Sequence, residues 1–316
     1  MKSFHAFGRI ALILAVCLAA TSPARAQEAS AEETVLYQTW FGANSQNMQD
    51  KAIEAAQAYL GKFPKGQYAA YLKNWLLGPK LTAFNAALQA KNTDEMIKVG
   101  RDILKQDPEN LSIHYGIAFN LRRLELAASP ANFAHAKEAT EFSTSALKLI
   151  DAGKVIEGGK FNKEASTAIL YQVQALVAAE AKNNDEAIAL YTKSSASDPG
   201  NVGVVAYNLL ALASLHKAPY DAAVGVYRAF PEADRQAATP SPEVKTALDA
   251  VYAKADPLID AWARFVALTR ARNVAAETRE QVLGSLKTVY GTRYAADTSG
   301  LEPLIQKLQA EYTPKS

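Results

Sequence analysis

Residues 168–201 read Ala168-Ile-Leu-Tyr171-Gln-Val-Gln-Ala175-Leu-Val-Ala178-Ala-Glu-Ala-Lys-Asn183-Asn-Asp-Glu-Ala187-Ile-Ala-Leu-Tyr191-Thr-Lys-Ser-Ser-Ala-Ser-Asp198-Pro-Gly-Asn201. The stretch has the length and residue pattern of one helix–turn–helix unit. Such a unit cannot bury its apolar face alone and must stack on neighbours, so it predicts an array.

The rest of the chain is helical in pattern from Thr34 to Leu308, with apolar residues at three- and four-residue spacing and no runs of alternating β-branched residues. Breaks are expected where Gly, Pro and Asn cluster: Gly61 to Gly66, Gly78-Pro79, Asn92 to Asp94, Asp107-Pro108, Ser129-Pro130, Asp151 to Gly159, Asn183 to Asp185, Asp198 to Asn201, Ala238 to Pro242, and Asp297 to Gly300.

Alignment on the turn prolines exposes degenerate copies. Twelve and eight residues before Pro199 stand Ala187 and Tyr191; before Pro108 the same places hold Met96 and Gly100, and before Pro64 they hold Ala52 and Ala56. Phe133 to Ile150, with Ala136, and Tyr220 to Phe230, with Ala223 and Tyr227, read as further second helices.

On Tyr171, Ala175, Ala178, Ala187, Tyr191 and Pro199, the stretch 168–201 resembles the tetratricopeptide repeat (TPR) family. Ala175 stands where the family usually has Gly, and Asn184 where it has a large aromatic. The resemblance implies an all-α, right-handed superhelical array of antiparallel helix pairs. Small residues would let paired helices approach closely, Ala175 against Ala187, with Tyr171 and Tyr191 filling the gaps between units. The array is expected over residues 27–240, and a helical cap over 241–316. In the cap, Ser241-Pro242-Glu243 is a helix start, with a restart at Pro257 and two more helices at Thr278 to Tyr290 and Leu301 to Tyr312.

Residues 1–26 read as a cleaved signal peptide: basic Lys2 and Arg9, an apolar run Ile10 to Ala20, and Ala24-Arg25-Ala26 as the cleavage site. Cleavage would leave Gln27 first, which predicts a periplasmic or secreted protein. Leu14-Ala15-Val16-Cys17 is a poor lipobox because Val16 precedes the cysteine, so lipidation at Cys17 is not expected. The leader carries three of the 34 Lys+Arg and none of the 32 Asp+Glu, so without it the balance is 31 against 32, a net −1. Nothing in that balance favours nucleic acid or an anionic membrane surface. Cys17 is the single cysteine, so the cleaved chain would have neither disulfides nor thiol chemistry. No further membrane span is expected after the leader.

Catalytic signatures are missing. Outside the leader the histidines are His114, His135 and His216, none at metal-ligand spacing, and each reads as a lone surface or interface residue. Gly61 to Gln67 carries Gln67 where a phosphate loop needs lysine, and Gly153 to Lys160 has an extra glycine before the lysine; neither follows a strand. Asp94-Glu95 and Asp185-Glu186 suit helix starts. The expectation is therefore a non-catalytic protein, without metal or cofactor.

The family resemblance implies that the first helix of each pair lines a partner-binding groove. On those helices the candidates are Tyr68, Tyr71 and Trp75, and then Tyr115, Phe119, Arg122 and Arg123. Aromatics with arginines suit a peptide or a carboxylate-bearing segment. Ile169, Gln172, Leu176 and Ala179 are bland groove positions. The segment Ala56 to Trp75 is similar to repeats of outer-membrane assembly lipoproteins. Together these point to an interaction scaffold of the cell envelope that binds a protein or peptide. An accessory factor in cell-wall glycan metabolism and a small-molecule binder remain as alternatives.

Overall fold

The computed structural model describes residues 30–156 and 161–313. The leader, its cleavage site and Cys17 lie outside the described residues, as do the last positions of the Gly153 to Lys160 loop. Among the described residues the chain is all-α: thirteen α-helices, one π-helical turn and no strand. It divides into two compact units, Met1–Pro79 and Lys80–Ser316.

In the first unit, α1 (Ala31–Ser45) and α2 (Gln49–Lys62) form an antiparallel pair. Ser30 caps α1 by accepting from the Glu33 amide at 3.1 Å. Ala43, Ala52, Ala55 and Ala56 are buried between the helices, where their size permits close approach, and Trp40, Tyr59 and Leu72 close the core. Glu33 is buried and held by two donors. Tyr59 Oη and the Gln67 amide (2.6 Å) donate to its Oε1, while the Tyr68 amide donates to Tyr59 Oη at 2.9 Å. Burial, then the bond to Glu33, push the Tyr59 phenol up to about 12.

The third helix, α3, runs Ala69–Gln89. The second unit continues with α4 (Thr93–Leu104), α5 (Leu111–Leu121), the π-helical turn Arg122–Leu126, α6 (Ala136–Asp151), α7 (Lys163–Glu180), α8 (Asn184–Ser197), α9 (Val202–Arg228), α10 (Glu232–Arg235), α11 (Pro242–Ala271), α12 (Ala276–Arg293) and α13 (Leu301–Tyr312).

Two turn types recur. After α3 and α7 the chain reads Lys-Asn-x-Asp-Glu, with Lys91 and Lys182 in the left-handed region (φ 55° and 64°). There the Asn92 amide donates to Ala87 O and the Asn183 amide to Ala178 O, both at 2.9 Å, which satisfies the orphaned carbonyls of a helix end. Before α5 and α9 the chain reads Asp-Pro-x-Asn. In each case the Asn amide donates to the Asp carbonyl at 3.1 Å, and the Asn side chain caps the next helix through the Ile113 or Val204 amide.

Helix α5 packs on α4, α6 and α7; α7 packs on α8 and on α9. Ala175 and Ala187 are fully buried in one cluster with Ala178 and Tyr191. Gly100 lies where α4 meets α5. A Cβ there would stand 2.5 Å from Ile117 Cδ1 and 3.3 Å from the Phe84 ring. Helix α9 then packs along α11, which carries α12 and α13. Val205, Leu209, Ala213 and Tyr220 of α9 share one core with Val251, Leu258, Trp262 and Phe265 of α11, Leu286 of α12 and Ile305 of α13.

The expected break at Pro79 and the restart at Pro257 are not breaks, and no break precedes the expected second helix at Tyr220. Pro79, Pro219 and Pro257 lie inside continuous helices α3, α9 and α11. Tyr220 to Phe230 is therefore not a separate second helix; its first nine residues are the end of α9. An interior proline costs about 3 kcal/mol. At Pro257 it is offset by the buried stripe Ala255, Leu258, Ile259 and Trp262 around it. None of the three sites supplies a left-handed residue to start a turn, whereas Lys91 and Lys182 do.

Candidate functional site

The candidates of the first unit gather around one indole. Trp40 is buried, and Tyr71 and Trp75 meet it edge-on, with centroids 5.3 and 5.5 Å away. Tyr68 stacks on Tyr37 at 3.8 Å. Tyr68 and Trp75 are half-buried, while Tyr71 is 55% exposed. The aromatics thus form a continuous cluster whose exposed edge is Tyr71 together with Phe41, 6.3 Å from Trp40.

In the second unit the two arginines part company. Helix α5 ends in a π-helical turn, marked by the Ala127 amide donating to Arg122 O at 2.9 Å. Such turns are often found at functional sites. Arg123 is exposed and donates to Asn120 Oδ1 at 3.0 Å. Arg122 is half-buried, and its Nε donates to Gln172 Oε1.

Behind Arg122 runs a polar relay through the stack. Gln172 Nε2 donates to Asn208 Oδ1 at 2.7 Å, Asn208 Nδ2 to Ser194 Oγ at 2.8 Å and Ser195 Oγ at 3.1 Å, and Ser194 Oγ to Ala168 O at 2.7 Å. Gln172, Ser194 and Asn208 are each 0% exposed. The relay links the π-turn, α7, α8 and α9, and fixes the orientation of both amides. Gln172 is thus not a bland groove position; it is an interior residue that aims Arg122. Leu176 is buried too.

The front of Arg122 is walled by tyrosines. Its guanidinium carbon lies 5.9 Å from the Tyr207 ring centroid, and Tyr115 and Tyr191 are close enough to act on its charge. Tyr115 and Phe119 stack with centroids 5.8 Å apart. Burial lowers the Arg122 pKa below its ordinary value, opposed by Tyr207, Tyr115 and Tyr191, and the guanidinium stays protonated. Burial also raises the phenols of Tyr115, Tyr191 and Tyr207, so all three are neutral hydroxyls near pH 7. No carboxylate among the described residues pairs with Arg122.

His135 is not a lone residue either. At the start of α6, its Nδ1 meets Glu125 Oε1 at 2.9 Å and its Nε2 meets Asp94 Oδ1 at 3.0 Å. It ties α6 to the π-turn and to the first turn of α4. Burial opposes its charge, but hydrogen bonds to Glu125 and Asp94 outweigh that and raise its pKa. His114 Nε2 meets Pro108 O at 3.0 Å, and burial lowers the His216 pKa. Among the described residues no group of three or more His, Cys, Asp or Glu could hold a metal ion, and no helix is long and apolar enough to cross a membrane.

The class these features define is an all-α chain of packed helices with a tyrosine-walled, partly buried arginine on one of them. No protein-family model and no curated protein matches it in sequence.

Proposed function

We propose that this chain is an exported, non-catalytic scaffold of the cell envelope. It binds a protein or peptide in a groove lined by α5, α7 and α9, the first helices of a degenerate TPR-like array. The observation that carries this proposal is Arg122: a half-buried cation, aimed by a buried relay and lacking an acidic partner among the described residues, amid the rings of Tyr115 and Tyr207. An isolated charge in such a place is costly without a counter-group.

Further support comes from the packing of α5 on α7 and of α7 on α9, with α8 paired to α7. The matching turns after α3 and α7 and before α5 and α9 support a repeated hairpin. On this proposal, α11 to α13 close the last first-helix, α9.

Photo-crosslinking in the native envelope tests the proposal. A benzophenone side chain at Phe119 is expected to capture a reproducible protein partner, and the same probe at exposed Lys148 on α6 is not. Equal capture at both positions, or none at Phe119, would overturn the groove. Mass spectrometry of the exported form is expected to show Gln27 as the first residue; an acylated Cys17 would overturn the expected cleavage.

A further inference from the structure

We propose that Arg122 is the centre of a site for one carboxylate group carried next to an aromatic or apolar group. This deepens the groove proposal and rests on it for a protein or peptide as the source of the carboxylate.

The donor geometry sets the ligand. Arg122 Nε is committed to Gln172 Oε1, and no hydrogen bond to another described residue engages the two terminal nitrogens. Those nitrogens present parallel N–H bonds, a fork that matches the two oxygens of a carboxylate. The fork cannot swing freely, because the Gln172 amide is itself fixed by Asn208, and Asn208 by Ser194 and Ser195. Pre-organisation of this kind reduces the ordering cost of binding.

Charge selects among oxyanions. The groups that act on the charge of Arg122 are Tyr207, Tyr115 and Tyr191, with no second cation among them. One guanidinium balances one negative charge, so a monoanion is neutralised in this half-buried setting and a phosphate dianion is left with excess charge. The neutral phenols wall the guanidinium without adding charge. The stacked pair Tyr115 and Phe119 supplies an apolar wall on the helix that leads into Arg122. A carboxylate with a ring or aliphatic group beside it uses the fork and the wall together.

Titration of the full mature chain with phenylacetate, phenylacetamide and phenyl phosphate, by calorimetry and ligand-observed NMR, tests the site. Phenylacetate is expected to bind; phenylacetamide is expected to be at least about tenfold weaker, as loss of a charge-assisted bond implies, and phenyl phosphate weaker because its second charge is left unbalanced. Arg122→Gln is expected to weaken phenylacetate by about 10- to 100-fold. Arg122→Lys keeps the charge without the fork and is expected to fall in between, and it serves if the glutamine variant folds poorly.

Equal binding of the amide, tighter binding of the phosphate, undiminished binding by Arg122→Gln, or no binding of phenylacetate at about 20 mM would each overturn the proposal; that concentration is far above the ~1 mM dissociation constant of a weak specific complex. Three acetylated peptides identify the source. Acetyl-Ala-Ala-Phe as free acid but not as amide supports the site with a chain terminus as its ligand. Acetyl-Ala-Glu-Phe-amide binding supports it with an acidic side chain. If phenylacetate binds at Arg122 while Phe119 captures no protein, the scaffold proposal fails and this one stands. Capture at Phe119 with no carboxylate binding has the reverse meaning.

Discussion

Replacing Asn208 with leucine tests the relay with little change of shape, since the two side chains branch alike at Cγ. The substitution removes three hydrogen bonds: one accepted from Gln172 Nε2 and two donated to Ser194 and Ser195. The survivors fare differently. Ser195 is half-exposed and can turn to water, and Ser194 keeps its bond to Ala168 O, but Gln172 Nε2 is left as a donor on a side chain that is 0% exposed. One orphaned buried group costs about 1–3 kcal/mol, and the added apolar burial of leucine recovers part of it, so a net loss of about 2 kcal/mol is expected. For a unit of this size each kcal/mol moves the midpoint by about 2–4 °C, which puts the fall in Tm of the Lys80–Ser316 unit at about 4–8 °C by circular dichroism. The double variant Gln172→Leu/Asn208→Leu removes the orphan. Its loss is expected to be smaller than the sum of the two single losses by about 1 kcal/mol or more. A Tm for Asn208→Leu within 1 °C of the parent (roughly 0.5 kcal/mol or less), or strict additivity in the double variant, would refute the relay as a coupled network.

Three further outcomes are expected. Because the folded pKa of His135 is raised above 6.5 by Glu125 and Asp94, its contribution to stability is full below that ordinary value and is lost as pH rises through the folded pKa. Denaturation midpoints should therefore fall with pH above 6.5 more steeply in the parent than in His135→Gln, and parallel profiles would remove the histidine from this role. Gly100→Ala gains about 1 kcal/mol of helix propensity but drives a Cβ to 2.5 Å from the fully buried Ile117, and overpacking of about 1–3 kcal/mol should win, measured as a lower urea midpoint. In the first unit Trp40→Ala should cost about 3–5 kcal/mol and Tyr71→Ala about 1 kcal/mol, since Tyr71 contributes one edge contact from an exposed position; comparable losses would show that Tyr71 belongs to the interior.

The all-α class was legible because its signals are local. Asp107-Pro108 and Asp198-Pro199 are each followed two residues on by a capping asparagine, and Asn92 and Asn183 each close the preceding helix through their own amide. The restart at Pro257 and the separate helix at Tyr220 misled because the proline penalty is local while the compensation is not: α9 lies along α11, and each is buried by residues of the other. The relay was illegible for the same reason. Gln172 finds Arg122 and Asn208 at separations of 50 and 36 residues. One signal was present. Gln172 interrupts the apolar stripe Leu170, Val173, Leu176, and Asn208 stands between Val205 and Leu209, so each is an amide that needs a partner from a neighbouring helix.

That placement bears on why the stack has a polar centre at all. Alanine-rich helix interfaces such as Ala175 against Ala187 gain stability from close approach but specify register weakly, because small apolar faces tolerate sliding. A relay of directed hydrogen bonds is satisfied at one register alone: a slip of one helical turn between α7 and α9 would part Gln172 from Asn208 and leave both buried amides unpaired. The same bonds hold the Nε of Arg122, so the register of the stack and the aim of its guanidinium are set by one network. A partner that engages Arg122 therefore acts on the alignment of α5, α7 and α9 together, and one that touches the exposed Arg123 does not.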